Sequence, residues 1–252
     1  MNGDGDAGGR MTLVEHLTEL RRRLIICVIA IGVCAVVMFF LYSRVLHFLA
    51  GPYEQVTRGQ PQCGSNPHKG CDLVVTDPLG PFLVRLKIAG YGGIALSIPI
   101  IFWEIWRFVT PALHKNERRY AVAFMVSSVV LFALGAVVAW FTVVKALDFL
   151  LGVGGHSLTP FIVADKYLTL VTLMVIAFGV SFEFPLLILG LLLVRVVNTR
   201  QLRRARRWVI VGITIFAAVI TPSQDPFSLI FMAVPMYVFY EIALLIGRLL
   251  KR

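Results

Sequence analysis

Long apolar segments alternate with short, arginine-rich polar segments along the whole chain. Six apolar runs, bounded by polar and helix-breaking residues, each predict a membrane-spanning helix. They cover residues 24–42, 82–108, 120–145, 167–195, 208–221 and 227–247. The last two are short, and the fourteen residues of 208–221, at about 1.5 Å each, do not reach across the hydrocarbon layer. The pattern predicts an all-α integral membrane protein with six transmembrane helices.

The composition agrees with this interpretation. Of the 252 residues, 58% are hydrophobic and 15% are charged, which is too apolar for a soluble globular protein. Residues 1–11 are polar and glycine-rich, and they predict a flexible tail rather than a signal peptide. We expect a single membrane domain over residues 12–248, followed by a short tail at 249–252.

The basic residues predict the orientation of the chain in the membrane. With six spans, 17 of the 24 lysines and arginines fall on the side that holds both termini, and seven fall on the other side. Lysine and arginine concentrate on the cytoplasmic side of membrane proteins, so both termini are predicted in the cytoplasm, at a bacterial cytoplasmic membrane. This distribution also explains the net charge of +10 without nucleic acid as a partner.

Two cysteines fall in the long loop predicted on the outer side. Cys63 and Cys71 stand in PQCGSNPHKGC, where an oxidising exterior permits a disulfide; two free thiols are the alternative. Neither this pair nor Cys27 and Cys34 has metal-ligand spacing with a matching histidine. No metal and no cofactor is predicted.

Two carboxylates lie among arginines at the inner edge of the membrane. Glu19, in HLTELRRRL, can pair with Arg22 or Arg23 on the same helix, but exposed pairs of this kind contribute only about 0.3–0.5 kcal/mol. Glu117, in the first inner loop, has three basic neighbours. Each is either a solvated surface carboxylate or part of an acidic binding site.

Two further carboxylates have different settings. Glu183 lies within a predicted span, where an ionised carboxylate costs several kcal/mol and is a functional candidate. It is either protonated or held by a hydroxyl such as Ser181 or Ser127. Asp225, in the tight outer turn TPSQDP, is typical of ordinary turn chemistry.

The sequence contains no HExxH, GxSxG or Walker loop. An enzyme is therefore not predicted. A small-solute transporter would explain Glu183 but usually shows inverted repeats and more spans. A membrane scaffold would explain the topology but would leave Glu19 and Glu117 without a role.

Four motifs resemble the TatC family, the core multi-span subunit of the twin-arginine protein translocase, and the residue usage resembles an actinobacterial member. They occur in the family's order and cover the chain from residue 11 to about residue 248. The motifs are HLTELRRRL at His16–Leu24, PALHKNERR at Pro111–Arg119, AFGVSFEFP at Ala177–Pro185, and TPSQDPFS with AVPMY within Thr221–Tyr237.

The resemblance implies a binding site for signal peptides. In the family, the carboxylates at the positions of Glu19 and Glu117 recognise the paired arginines of the peptide. A carboxylate binds a guanidinium through bidentate, charge-assisted bonds that lysine matches poorly. The arginines beside each carboxylate, including Arg21, would keep this binding weak and reversible. Phe108 and Pro111 match family residues around the site.

The resemblance also implies partners and an energy source. It implies TatA and TatB subunits, other TatC copies, membrane lipid, folded cargo proteins and the proton-motive force. It further implies that a short fifth helix docks the membrane anchor of TatB. Pro52 matches a family proline of the outer loop, and Asp225 and Glu183 stand within family motifs. Glu183 is expected to act in partner docking or rearrangement.

Overall fold

The computed structural model describes residues 13–58, 73–109, 120–153, 162–193, 197–223 and 225–249, and these residues fold into helices. The only β-type contact within those ranges is a single bridge between Val74 and Val163. In chain order the helices are α1 (Leu13–Phe40), α2 (Tyr42–Thr57), α3 (Gly80–Val109), α4 (Tyr120–Val153), α5 (Ala164–Ser181), α6 (Phe184–Leu193), α7 (Thr199–Arg204), α8 (Arg206–Ile220) and α9 (Pro226–Leu249).

Five stretches of the described chain are long and apolar enough to cross a membrane: α1, α3, α4, α5 together with α6, and α9. The predicted all-α, multi-pass class is therefore confirmed. Helix α8 corresponds to the predicted fifth span, and its 15 residues give only about 22 Å. The last helix, α9, was also predicted to be short, which is wrong: its 24 residues give about 36 Å, enough to cross the membrane. The count of six spans stays a prediction because α8 is too short to be recognised as a span by its length.

Helix α1 packs chiefly against α3. Gly93 of α3 makes this contact close, since a Cβ atom there would lie 2.7 Å from the Cα atom of Ala35. In the most apolar stretch of α1 no residue is buried inside the protein. A bilayer would cover these side chains, so α1 is attached to the rest of the molecule along one narrow face.

The centre of the molecule lies where α4 crosses α5. Gly135 and Gly179 allow the two backbones to approach, because a Cβ at Gly135 would lie 2.7 Å from the carbonyl oxygen of Phe178. The main buried cluster surrounds this crossing and includes Phe178, Met174 and Met232. Helix α9 packs against α6, α8 and α4 and completes this core.

Helix α2 was not among the predicted elements, and it contains Pro52. The hydroxyl of Tyr167 donates to the Leu49 carbonyl at 2.8 Å and accepts from the Tyr53 N–H at 3.2 Å. An unbroken helix would pair those two backbone groups directly. A buried hydroxyl from α5 is thus inserted into α2 beside its proline, which is a recognised cause of helix bending.

The predicted fourth span is interrupted at Phe182 and Glu183, between α5 and α6. The Glu183 N–H donates to Val180 at 3.1 Å, three residues back, and Leu187 restores the normal spacing by donating to Glu183 at 3.1 Å. Pro185 explains the break, because in a continuous helix its ring would clash with the carbonyl of Ser181. Glu183 therefore lies at a break in the helix, within a stretch long enough to span the membrane.

Candidate functional site

Three charged side chains meet where α1 packs on the last turns of α3. The guanidinium of Arg23 is hydrogen-bonded to Glu19, one helical turn earlier on α1, and its Nη1 atom donates to Oε2 of Glu104 at 3.0 Å. The side chains of Glu19, Arg23 and Glu104 are 21%, 12% and 9% exposed, respectively. The pair that the sequence placed at a solvated surface is therefore largely enclosed, and its contacts are stronger than those of an exposed pair.

Glu104 is the residue of this cluster that the sequence analysis missed. It stands in the apolar segment IFWEIWRF near the end of the second predicted span. A lone carboxylate in such a segment is itself a signal for a functional or paired group, and that signal was available. Its partner on α1, Arg23, could not be identified from the sequence, because the register between two helices cannot be read from one sequence.

The cluster borders a small cavity of about 150 Å³ that Arg22, Ile26 and Arg107 also line. The Oε2 atom of Glu19 is buried and accepts no hydrogen bond from any described residue. A buried carboxylate oxygen without a donor is costly, so the site favours an additional cation. Arg21, predicted as part of the site, is exposed on α1.

Phe108 lies close to this cluster. Its ring stacks on the ring of His16, with centroids 4.4 Å apart and planes 22° apart. His16 precedes Glu19 by three residues, so it lies on the same side of α1. Two of the predicted site residues, Glu19 and Phe108, are therefore brought together. Glu117 and Pro111 lie outside the described residues, as do Cys63 and Cys71.

Glu183 belongs to a separate polar group inside the membrane stretch. Ser128 of α4 is its hydrogen-bonding partner, and the indole nitrogen of Trp106 donates to the Ser128 hydroxyl at 3.0 Å. Of the hydroxyls proposed from the sequence, Ser181 donates instead to the Ala177 carbonyl at 2.6 Å. Glu183 is therefore hydrogen-bonded to a hydroxyl of the neighbouring helix α4, but to Ser128 and not to Ser127, because Ser128 is on the buried face of α4.

Asp225 directly precedes Pro226, the first residue of α9. Its Oδ1 atom accepts the Ser228 N–H at 2.8 Å, as expected of a helix-capping aspartate followed by proline. Burial by itself would raise the pKa of Asp225, but hydrogen bonds from the Ser223 and Ser228 hydroxyls and from the backbone lower that pKa below its ordinary value. The carboxylate is thus held in its ionised form by the turn it organises.

Known proteins resemble this chain over most of its length. The model of the family described as Sec-independent protein translocase protein (TatC) matches residues 15–235. A TatC protein of Frankia casuarinae, an actinobacterium, is 40% identical over 96% of this chain and 67% of its own length. A TatC protein of Corynebacterium kroppenstedtii is 36% identical over 97% of this chain. The chain spans only 63% of the length of that second relative.

The three-dimensional structure gives the same result. A crystal structure described as twin arginine translocase receptor TatC superposes with a TM-score of 0.77 at 34% identity, covering 94% of this chain and all of that one. The family match, the identity with its members and the shared fold agree with one another. The chain therefore belongs to the TatC family of Sec-independent protein translocase proteins.

Proposed function

We propose that this chain recognises twin-arginine signal peptides through Glu19 and Glu117 at the cytoplasmic face. With TatA and TatB subunits it would then transport folded proteins across the bacterial cytoplasmic membrane, driven by the proton-motive force. In this proposal, residues 12–248 form one domain of six transmembrane helices with both termini in the cytoplasm. The function is transport, and none of the proposed roles is catalytic.

The observation that supports this proposal is the environment of Glu19. Its carboxylate already binds one guanidinium, that of Arg23, and one of its oxygens is buried without a donor in the part of the chain that the structure describes. Glu19, Arg23 and Glu104 carry two negative charges and one positive charge. An arriving arginine would neutralise the remaining charge and satisfy the oxygen without a donor, and its planar guanidinium fits a carboxylate better than an ammonium does.

Other residues are proposed to serve assembly. The family resemblance suggests that α8 docks the membrane anchor of TatB, and α8 offers exposed apolar side chains for this purpose, including Ile215 and Val219. Glu183 is proposed to act in partner docking or rearrangement, and Pro52 and Asp225 to shape the outer side. Lipid and further TatC copies would cover the remaining apolar surface.

The central test measures binding of a twin-arginine peptide to the detergent-solubilised chain. We expect Glu19→Ala and Glu117→Ala each to weaken binding by about ten- to a hundredfold, because charge-assisted hydrogen bonds contribute about 1.5–3 kcal/mol. A twin-lysine peptide should bind poorly to the unaltered chain.

Glu15→Ala is the matched control, since Glu15 is an exposed carboxylate one turn before Glu19 on the same helix. That variant should retain the affinity of the unaltered chain. Unchanged affinity in both the Glu19 and the Glu117 variants would contradict the proposed recognition and favour a scaffold without a cargo site.

A further inference from the structure

The contact between Arg23 and Glu19 has an unusual geometry. A guanidinium usually binds a carboxylate as a fork, with one nitrogen on each oxygen. Here Nε and Nη2 of Arg23 both donate to the same oxygen, Oε1 of Glu19, with Nε at 3.2 Å. The other oxygen, Oε2, is left without a donor among the described residues. Arg23 therefore occupies half of the carboxylate.

Glu104 accounts for this half-occupied state. It accepts Nη1 of Arg23 at 3.0 Å, from a position 81 residues away on α3. The guanidinium is planar and rigid, so anchoring Nη1 on Glu104 restricts how the other two nitrogens meet Glu19. Glu104 is itself buried, so its position is set by the packing of α1 on α3. Without this anchor, Arg23 could rotate and form a fork with both oxygens of Glu19.

We propose that Glu104 is a positioning residue of the signal-peptide site. By holding Arg23 away from Oε2 of Glu19, it keeps that oxygen available for a guanidinium of the peptide. Arg23 then competes with the peptide arginine for the carboxylate of Glu19, and Glu104 limits this competition by holding Arg23 in place. This inference rests on the proposed function, because it assigns a role to Glu104 only if Glu19 receives the peptide.

The charges of the other lining residues are compatible with this role. Arg22 and Arg107 line the same cavity, but both are exposed and can extend into solvent. Among the described residues, the enclosed charges are those of Glu19, Arg23 and Glu104, and their sum is negative. A peptide arginine that reaches Oε2 is therefore attracted by the enclosed part of the site, while the outer arginines limit the affinity.

The test is a double-variant cycle on twin-arginine peptide affinity, using the full chain in detergent. Glu104→Leu removes the anchor, so Arg23 closes over Glu19 and affinity should fall about tenfold. Glu104→Gln retains a neutral acceptor and should show a smaller loss in the same direction. Arg23→Gln in the Glu104→Leu background removes the competitor and should restore affinity to that of the Arg23→Gln variant alone.

Thermal unfolding of each variant is measured beside its affinity, because Arg23→Gln also removes the enclosed guanidinium that Glu104→Leu leaves without its partner on α3. Restored affinity with similar unfolding temperatures of Glu104→Leu and the double variant supports the positioning role. Restored affinity that only follows a restored unfolding temperature means that Glu104 acts by stability, and it overturns the inference. If the double variant binds as weakly as Glu104→Leu, Glu104 acts by direct contact or by stability, and the inference is overturned. It is equally overturned if Glu104→Leu and Glu104→Gln both retain full affinity.

Glu241→Gln is the matched control. It alters another ion pair between two helices, that of Arg206 and Glu241, and should leave affinity unchanged. The proposed function is checked separately by Glu19→Ala. If that variant binds normally, the recognition role of Glu19 fails. If it binds weakly while the Glu104 variants bind normally, only the positioning role fails.

Discussion

Asp225 shows how one side chain can make the stability of this protein depend on pH. Its folded-state pKa is lowered by hydrogen bonds, whereas an unfolded aspartate has a pKa of about 3.9. The ionised form therefore stabilises the folded state at pH values above the unfolded pKa. This contribution is lost as the pH falls through the lower, folded pKa.

We expect the difference in thermal stability between the unaltered chain and Asp225→Asn to be constant above about pH 5 and to shrink below about pH 4. Asp225→Ala should in addition lose about 1 kcal/mol at neutral pH, because the N-cap of α9 is removed. Thermal unfolding in detergent between pH 7 and pH 3 measures both effects. A difference that grows on acidification would contradict the assignment.

The position of Glu183 predicts a different kind of variant. Glu183→Gln keeps the size of the side chain and a hydrogen-bonding partner for Ser128, but it removes the ability to ionise. Because this residue lies at the α5–α6 break and not beside Glu19, peptide binding should be preserved while transport or assembly with TatA and TatB is impaired. Peptide affinity and transport are to be measured on the same variant. A loss of affinity as large as that of Glu19→Ala would show that the two sites are not separate.

At the level of single residues, the sequence allowed the chemically important side chains to be predicted, but not most of the contacts that these side chains make. The carboxylates at positions 19, 183 and 225 stand out because each is near or inside an apolar segment. Their surroundings could not be predicted, since Glu104 joins the Glu19 cluster through Arg23, and Ser128 reaches Glu183, only through helix packing. Arginine was correctly foreseen beside Glu19, because a spacing of four residues is fixed by the helix itself.

Among the elements, the contact between α1 and α3 has the most direct bearing on the site. It brings Arg23 to Glu104, and it depends on the absence of a side chain at Gly93. Gly93→Leu should push α1 away from α3, because the added atoms meet the backbone of Ala35 and not a side chain that can move. We expect a stability loss of about 1–3 kcal/mol and a loss of peptide affinity.

Gly90→Leu is the control for that substitution. Gly90 lies on the same helix, and a Cβ atom there would have nothing within 4 Å. This variant should resemble the unaltered chain in both thermal stability and peptide affinity. Equal effects of the two substitutions would mean that the close approach at Gly93 does not hold the site together.

Periodicity and length explain which elements could be predicted. The long apolar helices were evident because a run of about 20 apolar residues has few other interpretations. Helix α2 could not be recognised in the sequence, since it mixes polar and apolar residues and contains Gly51 and Pro52 in its interior. A proline such as Pro185 is a known cause of helix kinks, but a complete break between α5 and α6 cannot be predicted without knowing how α4 and α9 pack around it.

For the whole molecule, the number of spans determines on which side of the membrane the end of α9 lies. Cysteine labelling tests this number. In a background with the native cysteines replaced by serine, a membrane-impermeant maleimide should label Thr76→Cys in intact cells. Arg200→Cys and Leu249→Cys should be labelled only in inverted vesicles, because with six spans both lie in the cytoplasm. These three positions are exposed in the structure. Labelling of Leu249→Cys in intact cells would mean that α8 does not cross the membrane.

The narrow attachment of α1 has a consequence for the order in which the protein is made. Arg23 and Glu104 are 81 positions apart, so at about 5–20 residues per second the ribosome adds Glu104 about 4–16 s after Arg23. Helix α1 needs little from the rest of the protein to reside in lipid, so it can enter the membrane alone. During that interval Arg23 has no anchor on α3 and is free to cover both oxygens of Glu19. If Glu19 and Glu104 act as proposed, an unfinished chain would keep the Glu19 carboxylate covered and would bind a signal peptide only after α3 has inserted.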